Sequence, residues 1–425
     1  MPLSERVRRL LDTPVFQRLG DISQLGLVRL VYPGARHSRL EHSLGVYRNA
    51  LLFLQTLSPQ QAFSSIVGER AEEAFVVAAL FHDVGHWPFC HAIEDMRLSD
   101  VPRHEVRVRA ALHSPEIMQC LRSDWQCTAD DVMSIIAGET TGKTTLSTDA
   151  VSLLSSCLSG PIDVDKLDYL VRDSLHAGVP YGRNFDASRL LSSLTVHPDR
   201  PRLAITEKGR TAAEMMVFAR YIMFSEVYWH HAVRSATAML QRLVFVLYMT
   251  DDITKTFDLV EPEWIATVCR AAEATDALPL ANGLFGTSRQ LYKRVAEFNA
   301  ADRPELYRGL AHRPYWWLVA CGNLLADRFG QRLGMSIPES AILIDAPPTK
   351  LEVDINVDVA MRNGSVKKLA DVSPLADSLA NRQFDGHVKR VRIFVRRDLR
   401  DAISLMLKDE SLLRDAIETL DREVV

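Results

Sequence analysis

His82 and Asp83 close an apolar run, Ala71 to Phe81, and two more histidines follow at once, His86 after Gly85 and His91 beyond Pro88. An imidazole and a carboxylate at a buried helix end cost roughly several kcal/mol to desolvate unless they are partnered. A divalent cation would partner both. So would a plainer arrangement, in which His82 caps the helix and Asp83 pairs with an arginine. Metal-assisted phosphate hydrolysis needs imidazoles and carboxylates on one cation, positive groups for the phosphates, and an acid or base for proton transfer. With His42 and Asp165 the chain supplies two imidazoles and two carboxylates, which would leave positions open for water and substrate. Spacing alone does not bring these four together, because they lie in separate helical segments.

The elements that must position them read mostly as helix. Short helices are expected over 5–11 and 14–19, with Asp12-Thr13-Pro14 as a helix start. A longer one runs from about Arg39 to Leu57, apolar at Leu40, Leu44, Tyr47, Leu51 and Leu54 and ended by Pro59. Another, from about Gly68 to Phe81, delivers His82 and Asp83. Between Ile162 and Asp173, helical spacing puts Asp165, Asp168, Tyr169, Arg172 and Asp173 on one face, which is either solvated or one wall of a site. Gly138 to Thr145 faintly suggests a phosphate loop, but its glycines are too close together and no β-rich run precedes it; a surface loop is the expectation.

A short strand is expected over 202–206, an unbroken buried helix from about 211 to 248, and further helices over 260–330. Beyond about Gly334 the pattern turns to strands at 341–344, 351–359 and 388–395, with a turn at Asn363-Gly364 and a closing helix over 398–420. The basic stretch from His387 to Arg397 would set Arg390, Arg392 and Phe394 on one face, read as an exposed sheet face or subunit contact. The architecture expected is mainly α, with a helical core over residues 1–330 and a small α/β C-terminal region over 331–425.

Composition places few demands on this scheme. The 425 residues are 47% hydrophobic and 24% charged, enough for a core that needs no staples. Six scattered cysteines without a Cys-x-x-Cys pair read as reduced, buried thiols in a cytoplasmic protein. Met1 to Leu11 is charged and helical in pattern, unlike a signal peptide, and no apolar run is long enough to span a membrane. A net charge of −4 argues against nucleic acid as a partner, so an anionic substrate would need local cations.

Four ordered blocks carry a resemblance. Asp12 to Leu19 with Gln24-Leu25-Gly26, Tyr32 to Val46, Phe81 to His91, and Ile162 to Asp173 resemble the HD superfamily of phosphohydrolases, specifically its deoxynucleoside triphosphate triphosphohydrolase branch. The resemblance covers roughly residues 10–180 and continues faintly to about 235. It implies an all-helical HD core and a divalent metal ion, for which two His and two Asp suit Mn, Fe, Co, Ni or Mg. The implied metal ligands are His42, His82, Asp83 and Asp165. Arg39 and Lys166 would contact phosphate. His86 and His91 would contact phosphate and donate a proton, Glu94 would partner His91, and His104 is a further active-site histidine. Tyr169 and Asp173 would face the deoxyribose, and Gln24, Tyr228 and His231 are further candidates for substrate contact.

The implied reaction is attack of water on the α-phosphorus, giving a deoxynucleoside and inorganic triphosphate, by a homo-oligomer, dimer or tetramer. Gly20 stands where regulated relatives carry an arginine that helps bind an activating nucleotide, and Val227 where the long helix is expected to carry another. Those contacts are not carried over. Two other readings compete: an HD phosphatase that removes phosphates stepwise, and, from another class, a nucleotide-binding sensor or nucleic-acid-binding protein.

Overall fold

Helices dominate the computed structural model, which describes residues 3–250, 253–347, 356–379 and 388–423. The expectation of a mainly α chain with a helical core and a small α/β part is borne out. The central pair is Arg39–Leu57 and Glu69–Phe81, against which Val164–Ala177 packs. Ser38 starts the first of these by accepting a hydrogen bond from Glu41 N, and Asp163 starts the third by accepting one from Lys166 N at 2.6 Å. Gly178, at φ 71°, ends that third helix in the left-handed region that glycine enters without strain. Gly45 is what lets the first and third helices close: a Cβ there would lie 1.8 Å from Asp168 Oδ1. Phe16, Phe53, Phe75 and Phe81 are fully buried between these helices, each contributing roughly 1.5–3 kcal/mol.

The long helix expected over 211–248 is two helices. Arg210–Ile222 runs into a widened π turn at Met223–Tyr228, and His231–Tyr248 begins afresh after Trp229 and His230. No Gly or Pro marks the break. It is held by tertiary contacts instead, with the Arg234 guanidinium 4.6 Å over the Trp229 ring and paired through two hydrogen bonds to buried Asp345. Tyr228, at the end of the π turn, reaches Val164–Ala177, where its hydroxyl donates to Asp173.

Seven short strands make two sheets. β1 (Leu194–Val196), β2 (Leu203–Thr206), β5 (Asp358–Ala360) and β6 (Val366–Lys368) lie in the order β1-β2-β5-β6, with β2 and β5 parallel and the other pairs antiparallel. β3 (Lys293–Phe298), β7 (Val391–Val395) and β4 (Ile342–Asp345) form an antiparallel sheet with β7 in the middle. Both sheets draw strands from either side of residue 331. Two expectations are corrected here. Residues 293–298 are a strand and not part of a helix, and 388–397 is not an exposed sheet face, since every residue of β7 is buried. Arg390 and Arg392 are tolerated there because both bond to Glu297 of β3. Of the strand expected at 351–359, residues 351–355 lie outside the described residues.

The Gly138–Thr145 segment is a loop pinned to the start of the Ala129–Ala137 helix: Lys143 N donates to Asp130, and the Thr144 hydroxyl to Asp131. Carboxylates aimed at the loop backbone are the reverse of a phosphate cradle. Among the described residues, no helix is long and apolar enough to cross a membrane.

Candidate active site

The three central helices bring His42, His82, Asp83 and Asp165 to one point. His42 Nε2 lies 3.1 Å from Asp165 Oδ1 and 3.9 Å from Asp83 Oδ2; His82 Nε2 lies 3.9 Å from Asp165 Oδ1 and 3.4 Å from Asp83 Oδ1. Ligand atoms of His42, His82 and Asp165 all fall within 4.8 Å of one another. The far nitrogens of both rings are already engaged. His82 Nδ1 is 3.0 Å from the Ala79 carbonyl, an acceptor only, so it carries the hydrogen. His42 Nδ1 is 2.8 Å from Asp168 Oδ2. Each ring therefore turns its Nε2 toward the carboxylates, and His82 Nε2 is buried with no hydrogen-bond partner. A carboxylate or carbonyl behind each ring and a lone pair in front is how metal-bound histidines are held.

Burial opposes the His42 imidazolium, but hydrogen bonds to Asp165 and Asp168 outweigh burial and raise its pKa to about 10. Burial likewise opposes ionisation of Asp83, yet the positive charge around it, with the Arg39 guanidinium 2.6 Å away, holds its carboxyl well below the ordinary range. The donor set, two imidazole nitrogens and two carboxylates facing one point, fits a divalent cation.

Arg39 Nη1 lies 2.6 Å from Asp83 Oδ2, the ion pair that the plainer reading of this stretch anticipated. Lys166 Nζ is paired with Asp163, also at 2.6 Å. Both cations stand beside the point of convergence, each held by one carboxylate.

A second group adjoins the first. His86 Nδ1 is 3.0 Å from the Asp83 carbonyl, its ring 3.9 Å from that of His104 and 4.9 Å from that of His91. Burial, and then Arg39, keep His86 well below its ordinary pKa, so it is a neutral imidazole. Glu94, expected to partner His91, is shared: it accepts from the His104 backbone N at 2.7 Å and lies 3.1 Å from His104 Nδ1, with His91 on its other side. His91 stands 3.8 Å from Glu94 with its side chain 65% exposed. Gly85 permits the sharing: a Cβ there would lie 2.2 Å from the His104 carbonyl, so only glycine lets His104–Leu112 come close enough for Glu94 to cap it. Gly85→Ala is expected to lower stability by about 1–3 kcal/mol and to slow hydrolysis, checked by thermal melting and a rate assay on the same preparation.

The wall opposite carries Tyr169, Asp173 and Tyr228. The Tyr228 hydroxyl donates to Asp173 Oδ2 at 2.5 Å, and His37 Nε2 lies 3.0 Å from Asp173 Oδ1. Burial, and then Asp173, push the Tyr228 hydroxyl well above its ordinary pKa, so it stays a donor. Gln24 keeps a buried Oε1 with no partner, and its backbone N donates to the His37 carbonyl. His231 is not brought to this group. It lines a separate basic cavity of about 930 Å³ with Arg289, Lys293, Arg294, Arg397 and Arg400.

Sequence reasoning placed Asp168 on the polar face without a partner and missed two supporting residues: the structure sets Asp168 behind His42, Asp163 on Lys166, and His37 on Asp173. Asp168 was read in the sequence, one turn beyond Asp165 on the same face; His37 was not, since 136 residues separate it from Asp173.

A helical frame that converges two imidazoles and two carboxylates, with positive side chains beside them, is the build of a metal-assisted hydrolase. Residues 39–168 match the HD domain and residues 185–415 the HD-associated region, and the chain belongs to the HD-domain phosphohydrolase family. An uncharacterized protein of Methanocaldococcus jannaschii is 30% identical over 393 residues, spanning 89% of this chain and 73% of that one. The human deoxynucleoside triphosphate triphosphohydrolase SAMHD1 is 29% identical over 283 residues, which span 60% of this chain and only 42% of that enzyme. Among solved structures, a hypothetical protein from Aquifex aeolicus superposes with a TM-score of 0.69 at 27% identity, covering 95% of this chain and 96% of that one. A phosphohydrolase from Bacteroides thetaiotaomicron, at TM-score 0.68 and 23% identity over 93% of this chain and 96% of that one, shares the fold.

Proposed function

We propose that the protein hydrolyses deoxynucleoside triphosphates to deoxynucleoside and inorganic triphosphate, with a divalent ion held by His42, His82, Asp83 and Asp165. The observation that carries this reading is the pair of imidazoles whose Nδ1 atoms are tied back while their Nε2 atoms face two carboxylates. The similarity to SAMHD1 supports the substrate class. A bound divalent ion would supply Lewis acidity toward a phosphate oxygen and activate water. Arg39 and Lys166 neutralise phosphate charge. His86, His91 and His104 offer nitrogens for phosphate contact and proton transfer to the leaving oxygen, and Tyr169 with Asp173 bounds the sugar. Cytoplasmic residence and a dimer or tetramer belong to the same reading, the assembly being open to sedimentation analysis.

One observation favours a second reading. Both oxygens of Asp173 are engaged, by His37 and Tyr228, so a sugar hydroxyl would have to share or displace one of them. A substrate without that hydroxyl contact suits an HD phosphatase that removes phosphates stepwise. Product analysis separates the two: each dNTP and NTP is incubated with Mn²⁺ and the products are resolved by ion exchange. Intact triphosphate with free deoxynucleoside is the expected result. Mono- and diphosphates with inorganic phosphate would replace it with the stepwise reading.

Asp168→Asn offers a milder test of the metal assignment. An asparagine amide can meet His42 Nδ1 without the charge that holds the ring, so Mn²⁺ affinity should fall about 10–100-fold, read by calorimetric titration. Unchanged affinity would remove Asp168 from its supporting role.

A further inference from the structure

Cys90 lies inside the histidine group and takes no part in the chemistry described above. Cys90 is 1% exposed, as is His86, and one ligand atom from each of His86, Cys90 and His104 falls within 4.8 Å of the others. His86 Nε2 is buried and has no hydrogen-bond partner, while its Nδ1 is fixed by the Asp83 carbonyl. His104 Nδ1 is fixed by Glu94. Both rings therefore keep Nε2 for a ligand, with a carbonyl behind one and a carboxylate behind the other. The approach is built into the backbone. Phe89, at φ 57°, turns the chain so that Cys90 opens the short Cys90–Glu94 helix, and Gly85 admits the helix that begins at His104.

We propose that His86, Cys90 and His104 form a second cation site, one that takes a thiophilic divalent ion of the zinc class. Two imidazoles and a thiolate are a zinc donor set, and three protein ligands leave one position open. The oxygen-rich site at Asp83 and Asp165 has no sulfur and no such preference. On binding, the Cys90 S–H bond breaks, a sulfur–metal bond forms, and the proton leaves to solvent. An ion there takes His86 and His104 away from substrate, so zinc inhibits; that consequence rests on the function proposed above, whereas the binding itself does not.

The test uses Co²⁺ without substrate, because a thiolate bound to cobalt gives a near-ultraviolet charge-transfer band that nitrogen and oxygen ligands do not. None of the other five cysteines lies in a three-ligand group among the described residues, so the band reports Cys90. Wild-type protein titrated with Co²⁺ should develop the band, Cys157→Ser should keep it, and Cys90→Ser and Cys90→Ala should lose it while still binding cobalt elsewhere. Zn²⁺ should displace the band, and its affinity should fall in the Cys90 variants by at least the about 10–100-fold that loss of a supporting partner costs. Absence of the band from cobalt-loaded wild type, or its persistence in either Cys90 variant, would overturn the site whatever the protein hydrolyses.

Discussion

Asp165→Ala is expected to abolish tight Mn²⁺ binding and to slow hydrolysis by about 1,000-fold or more, because metal assistance is worth several kcal/mol of barrier and each 1.4 kcal/mol is tenfold. The two carboxylates at the site are not equivalent. Asp83 is shared with Arg39, which lies on one of its oxygens at 2.6 Å. Asp165 faces both imidazole Nε2 atoms, at 3.1 and 3.9 Å. Removing it leaves two neutral ligands and a carboxylate already committed to a cation. Asp165 is also the more exposed of the two, at 29% against 12% for Asp83, so its loss costs the fold little. The expected signature is a near-normal melting temperature, no Mn²⁺ heat in calorimetry and no activity; a chelator should reproduce the last two in wild type. Retention of one tightly bound Mn²⁺ by Asp165→Ala would remove it from the ligand set.

That site was more legible in the sequence than the frame around it. His42, His82, Asp83 and Asp165 sit in contiguous blocks that carry the family resemblance, and that resemblance proposes them as a set; spacing alone does not bring them together, because they lie in separate helical segments. The errors fall where a residue's fate depends on a distant partner. Arg390 and Arg392 read locally as a solvated face, but Glu297, more than ninety residues earlier, lets them sit in a central strand. The break after Tyr228 carries no Gly or Pro and is fixed by the Trp229–Arg234–Asp345 contact, which joins segments over a hundred residues apart. β3 is a run of Lys, Arg, Val, Ala, Glu and Phe with neither clear alternation nor a turn signal, and pairing with β7 decides its conformation.

Glu94 shows the same limit inside the site, and its partnership can be measured. Sequence proximity pairs it with His91, three residues before it, whereas the fold shares its carboxylate with His104. Burial opposes a charged His104, but the hydrogen bond and charge of Glu94 outweigh it and raise its pKa. Glu94→Gln and His104→Ala should each slow hydrolysis, by up to the about 10²–10⁴-fold that a positioned acid or base contributes. If Glu94 acts through His104, the double variant should be little worse than the worse single one, since groups that work as a unit are not additive. His91→Ala should combine with Glu94→Gln more nearly additively, because the His91 imidazole is the more exposed ring, at 65% against 17% for His104, and stands farther from the carboxylate, 3.8 Å against 3.1 Å. Mn²⁺ occupancy should stay constant throughout, which keeps the cycle free of metal loss. The opposite pattern, coupling of Glu94 with His91 and independence from His104, would mean that the substrate-bound site closes His91 onto the carboxylate and that His104 serves the fold.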